Sequence, residues 1–393
     1  MRDERKKIFS THEMKNISKR NSFTFKTIIG IILIVIVIVS YIFTIMNPKI
    51  PELVDNFNIQ SNEESIPQRA SHYEAKGNIH SIEKRNDNTI FISIAAYRDK
   101  DCVNTILDCF QNAKYPQNIR IGICQQNKDD DMDCIYNQHY DKLTPYLHQI
   151  KVIRIPYYEA RGPTFARYWC STLWEGEAYY MQIDSHIRFE KDWDEKCIST
   201  VQRFNKKVVL STYPQEIGKG SKDAVTVICN AFYSETEQVL SFPGAGIYSK
   251  PKQPVETAFI AAGFFFADSS FLKDIPFDPH LKDIFVGEEI LLSIRFWTHG
   301  WDIYAPNDNI VYHHYIREGE PKVWNDRYMD GTLAMKKVKK LIGFSNENIP
   351  NELNFKLDVY GLGNKRTLNQ FYDFIGYDMQ KKKCNKDFCK NIH

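Results

Sequence analysis

Tyr179-Tyr180-Met181-Gln182-Ile183-Asp184-Ser185-His186 is an apolar strand that closes on an Asp-x-His triplet. In an open α/β sheet a strand delivers its last side chains into the crevice at the carboxyl edge, where ligands bind. Asp184 and His186, two positions apart, project to the same side of an extended backbone, so a hard carboxylate oxygen and a borderline imidazole nitrogen converge on one point. That pairing suits a divalent cation. An Asp followed by Ser at a strand end also suits a helix cap or a turn, so the triplet takes its meaning from the rest of the chain.

Around it, the sequence from Asn88 alternates strands and helices. TIFISIAAY (89–97), IRIGICQQ (119–126), KVIRIPYY (151–158), YYMQID (179–184) and KVVLSTYP (207–214) read as strands, while Val103, Ile106, Leu107 and Phe110 recur at helical spacing and Pro163 opens a helix to Trp174. TAFIAAGFFFA (257–267) reads as one more buried strand with a gap at Gly263, and WDIYAP (301–306) as another. Such alternation predicts an α/β fold with a mostly parallel central sheet covered on both faces. Its strand ends are where chemistry belongs.

The first strand ends in Ala95-Ala96-Tyr97-Arg98-Asp99. Tyr97 can stack on a base and Arg98 can meet a phosphate, or Tyr97 packs and Asp99 caps the next helix. Arg161 and Arg167 flank a helix start, whose free N–H groups favour anions. Phe242-Pro243-Gly244-Ala245-Gly246 is a loop, either a lid or an ordinary excursion. Val286-Gly287-Glu288-Glu289 opens the clearest amphipathic helix, with Ile290, Leu291, Ile294 and Trp297 on its buried side. The helix dipole stabilises both carboxylates, and one turned into a cleft can bind a hydroxyl or act as a base. His313 and His314 follow a strand, and one of them supplies the third ligand that Asp184 and His186 lack.

The 393 residues, 43% hydrophobic and 13% aromatic, can build one large core or two smaller ones. Lys+Arg 51 against Asp+Glu 49 leaves a formal charge of +2, which makes no field to draw nucleic acid. Residues 27–46, TIIGIILIVIVIVSYIFTIM, are uncharged and as a helix would extend about 30 Å, the hydrocarbon thickness of a bilayer. The run is longer than a signal-peptide core, and no small-residue cleavage pattern follows it, which favours an uncleaved anchor. Arg2, Arg5, Lys6, Lys7, Lys15, Lys19, Arg20 and Lys26 precede it, so the positive-inside rule keeps the amino terminus cytosolic. Residues 47–87 read as a polar stem. Nine cysteines, an odd number, leave at least one unpaired within the chain. Cys384 and Cys389 form a local loop or pair elsewhere.

The strand-Asp-Ser-His, the later Gly-Glu-Glu at a helix start, Trp-x-x-Gly-Trp and a terminal His together resemble the GT-A glycosyltransferases, specifically the polypeptide α-N-acetylglucosaminyltransferases that modify hydroxyproline or mucin-type acceptors. The resemblance covers roughly residues 88–317. It implies a GT-A nucleotide-sugar-binding fold with Asp184, His186 and His313 on Mn2+ (Mg2+ as alternative). Tyr97, Arg98 and Arg167 would hold uridine and phosphate, and Gly263 and Glu288 would border the sugar. Val286-Gly287-Glu288-Glu289 stands where relatives carry a Gly-Gly-Glu-Asn-like stretch, so Glu288 and Glu289 both remain candidate catalytic residues.

The expected protein is a retaining hexosaminyltransferase carrying N-acetylglucosamine from UDP-GlcNAc to a Ser, Thr or hydroxyproline of a protein acceptor. Its expected parts are a cytosolic tail (1–26), a transmembrane anchor (27–46), a stem (47–87), a GT-A catalytic domain (88–320) and a carboxyl-terminal extension (321–393). The anchor implies a single-pass type II membrane protein with its catalytic domain on the lumenal or outer side, and the resemblance implies the Golgi membrane. The rival readings are a transferase using UDP-GalNAc, UDP-Gal or UDP-Glc on a glycan acceptor, and a tethered glycan-binding protein without turnover.

Overall fold

The computed structural model describes residues 81–345, 356–390 and 392. The tail, the anchor at 27–46 and the stem up to residue 80 lie outside the described residues. Among the described residues no helix is long and apolar enough to cross a membrane. The end of the expected stem is already part of the folded body: Ile82 packs against the core, Lys84 Nζ lies 2.6 Å from Asp268, and Arg85 N–H donates to Gly176 O.

The first strand, β1 (Ile90–Tyr97), is followed by α1 (Cys102–Asn112), β2 (Ile119–Asn127), β3 (Ile150–Pro156), α2 (Pro163–Ser171) and β4 (Tyr179–Asp184). Strands β1 to β4 pair in parallel, with β1 between β4 and β2. Ile90, Ile92 and Ile94 face one core layer with Val103, Ile106 and Phe110 of α1, while Phe91 faces the opposite layer. Burial on both faces is why β1 reads as a continuous apolar run rather than an alternating one.

Downstream come β5 (Ile187–Phe189), α3 (Trp193–Gln202), β6 (Val208–Ser211) and β7 (Gln215–Glu216), then four short strands, β8 (Ala224–Val227), β9 (Phe232–Ser234), β10 (Val239–Ser241) and β11 (Gly246–Ser249). Strands β12 (Val255–Thr257) and β13 (Phe264–Asp268), helix α4 (Glu288–Thr298), and strands β14 (Asp302–Ala305) and β15 (Val311–His313) follow. The central sheet has eight strands in the order β12-β14-β6-β13-β4-β1-β2-β3, and only β13 and β12 run against the rest.

The expected single strand at 257–267 is in fact two. The chain leaves the sheet after Thr257 and re-enters at Phe264 antiparallel to β4. Between them, side chains replace a ladder: Ile260 N–H donates to Ser293 Oγ, Ala261 N–H to Ser211 Oγ and Ala262 N–H to Glu289 Oε1, each at 2.8 Å. Every such amide is satisfied without a neighbouring strand, so an apolar run need not be extended.

A second, three-stranded sheet, β5-β15-β7, stands at the carboxyl end of β4. Strand β15 pairs antiparallel with β5, placing His313 opposite Ile187. The extension contributes α5 (Thr332–Leu341) and α6 (Leu368–Ile375), which pack on α4 in a separate core cluster with Ile290, Ile294 and Phe371. Cys389 pairs with Cys229, across 160 residues, and Cys384 is a free thiol. The local Cys384–Cys389 alternative is therefore not adopted; Phe388 N–H donates to Cys229 O and holds the tail against the segment that follows β8.

Candidate active site

Strand β4 carries Asp184 to the sheet edge, and the β5–β15 pairing returns the chain to the same point, with His314 N–H donating to His186 O at 3.1 Å. One donor atom from each of Asp184, His186 and His313 lies within 4.8 Å of the others. His313 Nε2 is 3.1 Å from Asp184 Oδ2, and the two imidazole rings meet edge-on with centroids 4.7 Å apart. The carboxylate's other oxygen, Oδ1, accepts from Arg167 Nη2 at 3.1 Å. Burial favours the neutral acid, but the His313 hydrogen bond and the Arg167 charge outweigh it and hold Asp184 well below the usual carboxylate range.

Asp99 orients the triplet's histidine. Its Oδ2 lies 2.7 Å from His186 Nδ1 and accepts from Ser185 Oγ at 2.6 Å, with Arg317 Nη2 at 3.2 Å, while Oδ1 accepts the Asp101 N–H. A carboxylate on one ring nitrogen fixes the tautomer and leaves the other nitrogen, Nε2, for a metal. Sequence reasoning had weighed Asp99 only as a helix cap. Asp101, not Asp99, is the residue at the helix N-cap; Asp99 Oδ1 closes a turn onto the Asp101 N–H just before it, and its Oδ2 holds His186. The only hint in the sequence was its place at the end of the strand paired with β4.

These residues line a cavity of about 640 Å3 together with Tyr97, Gly263, Glu288 and Glu289. Arg167 is buried at the back of it, its Nη1 on Glu288 Oε1 and its Nη2 on Asp184. The arginine expected to meet a phosphate thus ties a helix carboxylate to the triplet carboxylate. Glu289, also in the lining, is held through both oxygens: Tyr213 OH donates to Oε2 and Ala262 N–H to Oε1. Burial, against those two hydrogen bonds, pushes Glu289 up to about 7. Gly287 opens α4 at φ 92°, a left-handed conformation that suits glycine. Gly263 is required for space, since a Cβ there would lie 2.9 Å from Asp184 Oδ2.

Tyr97 reaches the cavity, but its hydroxyl donates to Asp326 Oδ2 at 2.8 Å. Arg98 lies outside the lining; its guanidinium is engaged by Asp131 at 2.8 and 3.1 Å and by Asp326 at 2.8 Å. Tyr213, Tyr315 and Arg317 line the cavity without having been singled out from sequence. His314 is exposed, leaving His313 as the histidine that joins the triplet.

The donor set fits a borderline divalent cation: one ionised carboxylate, one imidazole with its second nitrogen fixed by Asp99, and a second imidazole whose buried Nδ1 has no hydrogen-bond partner among the described residues.

In sequence, the model of the family described as Glycosyltransferase (GlcNAc) matches residues 89–145 and 136–381. No curated protein matches the chain. Among solved structures, GalNAc-T7 with UDP, GalNAc and Mn2+ superposes with a TM-score of 0.54 at 16% identity, covering 76% of this chain and 58% of that one. The chain thus spans less than two thirds of GalNAc-T7. TarS of S. aureus in complex with UDP-GlcNAc gives a TM-score of 0.43 at 11% identity, covering 75% and 77% of the two chains. The GalNAc-T7 likeness shows the GT-A fold, and the match over most of the sequence shows that the chain belongs to the GlcNAc glycosyltransferase family.

Proposed function

We propose that the protein transfers N-acetylglucosamine from UDP-GlcNAc to a Ser, Thr or hydroxyproline hydroxyl of a protein, with Mn2+ held by Asp184, His186 and His313. The observation that carries this reading is the convergence of those three donors beside Arg167 in one cavity. Mixed carboxylate and imidazole ligation suits manganese better than magnesium. The bound cation would offset the charge that grows on UDP as the anomeric bond breaks.

The chain's own groups do the rest. Asp99 keeps the His186 ring oriented, and Arg167 keeps Asp184 ionised and aimed. Glu288 is paired with Arg167, which it shares with Asp184, and Glu289 has no cationic partner among the described residues, so Glu289 is the carboxyl assigned to a sugar hydroxyl. Tyr213 and the Ala262 amide hold Glu289 in one orientation before substrate arrives, which lowers the cost of ordering it. The family description supports GlcNAc as the sugar. A retaining outcome and a type II Golgi location, with residues 27–46 as anchor, complete the proposal.

The test is UDP release by the full-length protein in detergent, over a panel of UDP-sugars, with Mn2+ or with chelator. Release from UDP-GlcNAc that chelator abolishes and Asp184→Asn reduces by on the order of 100-fold or more is expected. Metal-independent release, or full activity in Asp184→Asn, would overturn the reading. Release from another donor alone would move it to that sugar.

A further inference from the structure

Transfer requires a second substrate whose hydroxyl reaches the sugar in the first cavity, so its site must border that cavity. A second hollow, of about 730 Å3, does so: it shares Phe285, Val286 and Trp324 with the first. The Phe285 and Trp324 rings meet edge-on at 4.9 Å on the lip between the two, and they are 59% and 48% exposed. Its far wall is built by the carboxyl-terminal extension, through Met329, Met335 and Phe344. We propose that this groove is the acceptor site and that it takes an extended stretch of polypeptide with apolar side chains flanking the modified residue.

The wall is firmly set. Helix α5 is pinned from beneath by a buried ion pair, Lys337 Nζ to Asp278 Oδ2 at 2.5 Å, and by Val338 and Ile342 in the core. Phe344 lies within 6 Å of the rings of Tyr233, Tyr372 and Tyr377. Met335 and Met329 are left half-buried at the groove.

The lining favours a peptide over a glycan. Asp283 pairs with Arg161 through one oxygen at 3.2 Å and keeps its Oδ1 without a hydrogen-bond partner among the described residues, and Lys339 Nζ donates to Gln238 at 3.0 Å, so single acceptors and donors suited to a peptide backbone stand among the apolar lining. The groove sets thioether and aromatic surface from Met329, Met335, Phe285 and Trp324 beside polar side chains such as Glu237 and Lys339, a mixture that suits polypeptide, and methionine adapts its shape to varied apolar partners. The extension is then not an appendage to the catalytic domain but the part that selects its protein substrate.

This inference rests on the first cavity being the donor site, and the experiment separates the two. Full-length wild type, Thr332→Trp and Met335→Gln are assayed with UDP-GlcNAc for hydrolysis without acceptor and for transfer to a peptide library with one central Thr and randomised flanks. Thr332 is an exposed groove residue at the start of α5, so tryptophan there fills the groove without disturbing the core. Library peptides with bulky apolar flanks are expected to be preferred. Both variants are expected to raise the acceptor KM by about tenfold, equivalent to about 1.4 kcal/mol, with the donor KM unchanged within about twofold, and Met335→Leu restores the wild-type acceptor KM. An acceptor KM unmoved by both variants, or transfer to free oligosaccharides and not to peptides, overturns the assignment of the groove while hydrolysis still supports the donor site. Absence of UDP release by the wild type under every condition removes the donor reading and this inference with it.

Discussion

Asp99 Oδ2 and His186 Nδ1 lie 2.7 Å apart, joining the end of the first strand to the Asp-x-His triplet. An outer carboxylate of this kind changes metal affinity typically by 10- to 100-fold when removed. Asp99→Asn is therefore expected to weaken Mn2+ binding by about that factor while the protein stays folded. The fraction of free Mn2+ followed by electron paramagnetic resonance reads this without any substrate; unchanged affinity would show that His186 needs no orienting partner.

Gly263→Ala places a methyl group where a Cβ meets Asp184 Oδ2 at 2.9 Å. The carboxylate must move, and a ligand displaced by a few tenths of an ångström loses coordination. Mn2+ affinity is expected to fall by on the order of tenfold, with a shift in stability of no more than about 1 kcal/mol. Titration calorimetry and a denaturant melt decide it. A large loss of stability with intact metal binding would place the strain elsewhere.

Glu289, ordinarily near 4.5, is raised to about 7 by burial in the folded protein. Between those values the folded state binds more protons than the unfolded chain, so stability falls as pH rises. The contribution of the neutral carboxyl is fully present below about 4.5 and is lost as pH passes 7. Glu289→Gln stays neutral throughout, so its melting temperature relative to wild type should climb between pH 4 and pH 8. Thermal melts in chelator at stepped pH check this, and parallel curves for the two proteins would exclude a raised Glu289.

The Cys229–Cys389 bond closes a loop spanning 160 residues and holds the tail beside β8. Restricting the unfolded chain in this way is worth about 2–5 kcal/mol for native disulfides. Cys389→Ser should lose stability in that range in denaturant titration, and wild type with reductant should match it. A loss below about 1 kcal/mol in both would show that Phe388 packing alone secures the tail.

Strand-helix alternation, the Asp-x-His ending of β4 and the Gly287-Glu288-Glu289 helix start could all be read from local pattern, because each is encoded within a few residues by hydrophobic period or by backbone preference. The meeting of His313 with Asp184, 129 residues apart in sequence, depends on β15 finding β5, and no local pattern specifies which strand pairs with which. The same is true of Arg167 bridging Asp184 and Glu288, of Asp99 holding His186, and of Cys389 choosing Cys229 over Cys384. The break inside 257–267 was illegible for a related reason: Ser211, Glu289 and Ser293 supply the acceptors that let an apolar run leave the sheet. The chain's residue order by itself determined the element types and the chemical kinds of group available. Only the tertiary structure decided which of those groups share a cavity, since that rests on hydrogen bonds and packing between segments far apart in the chain.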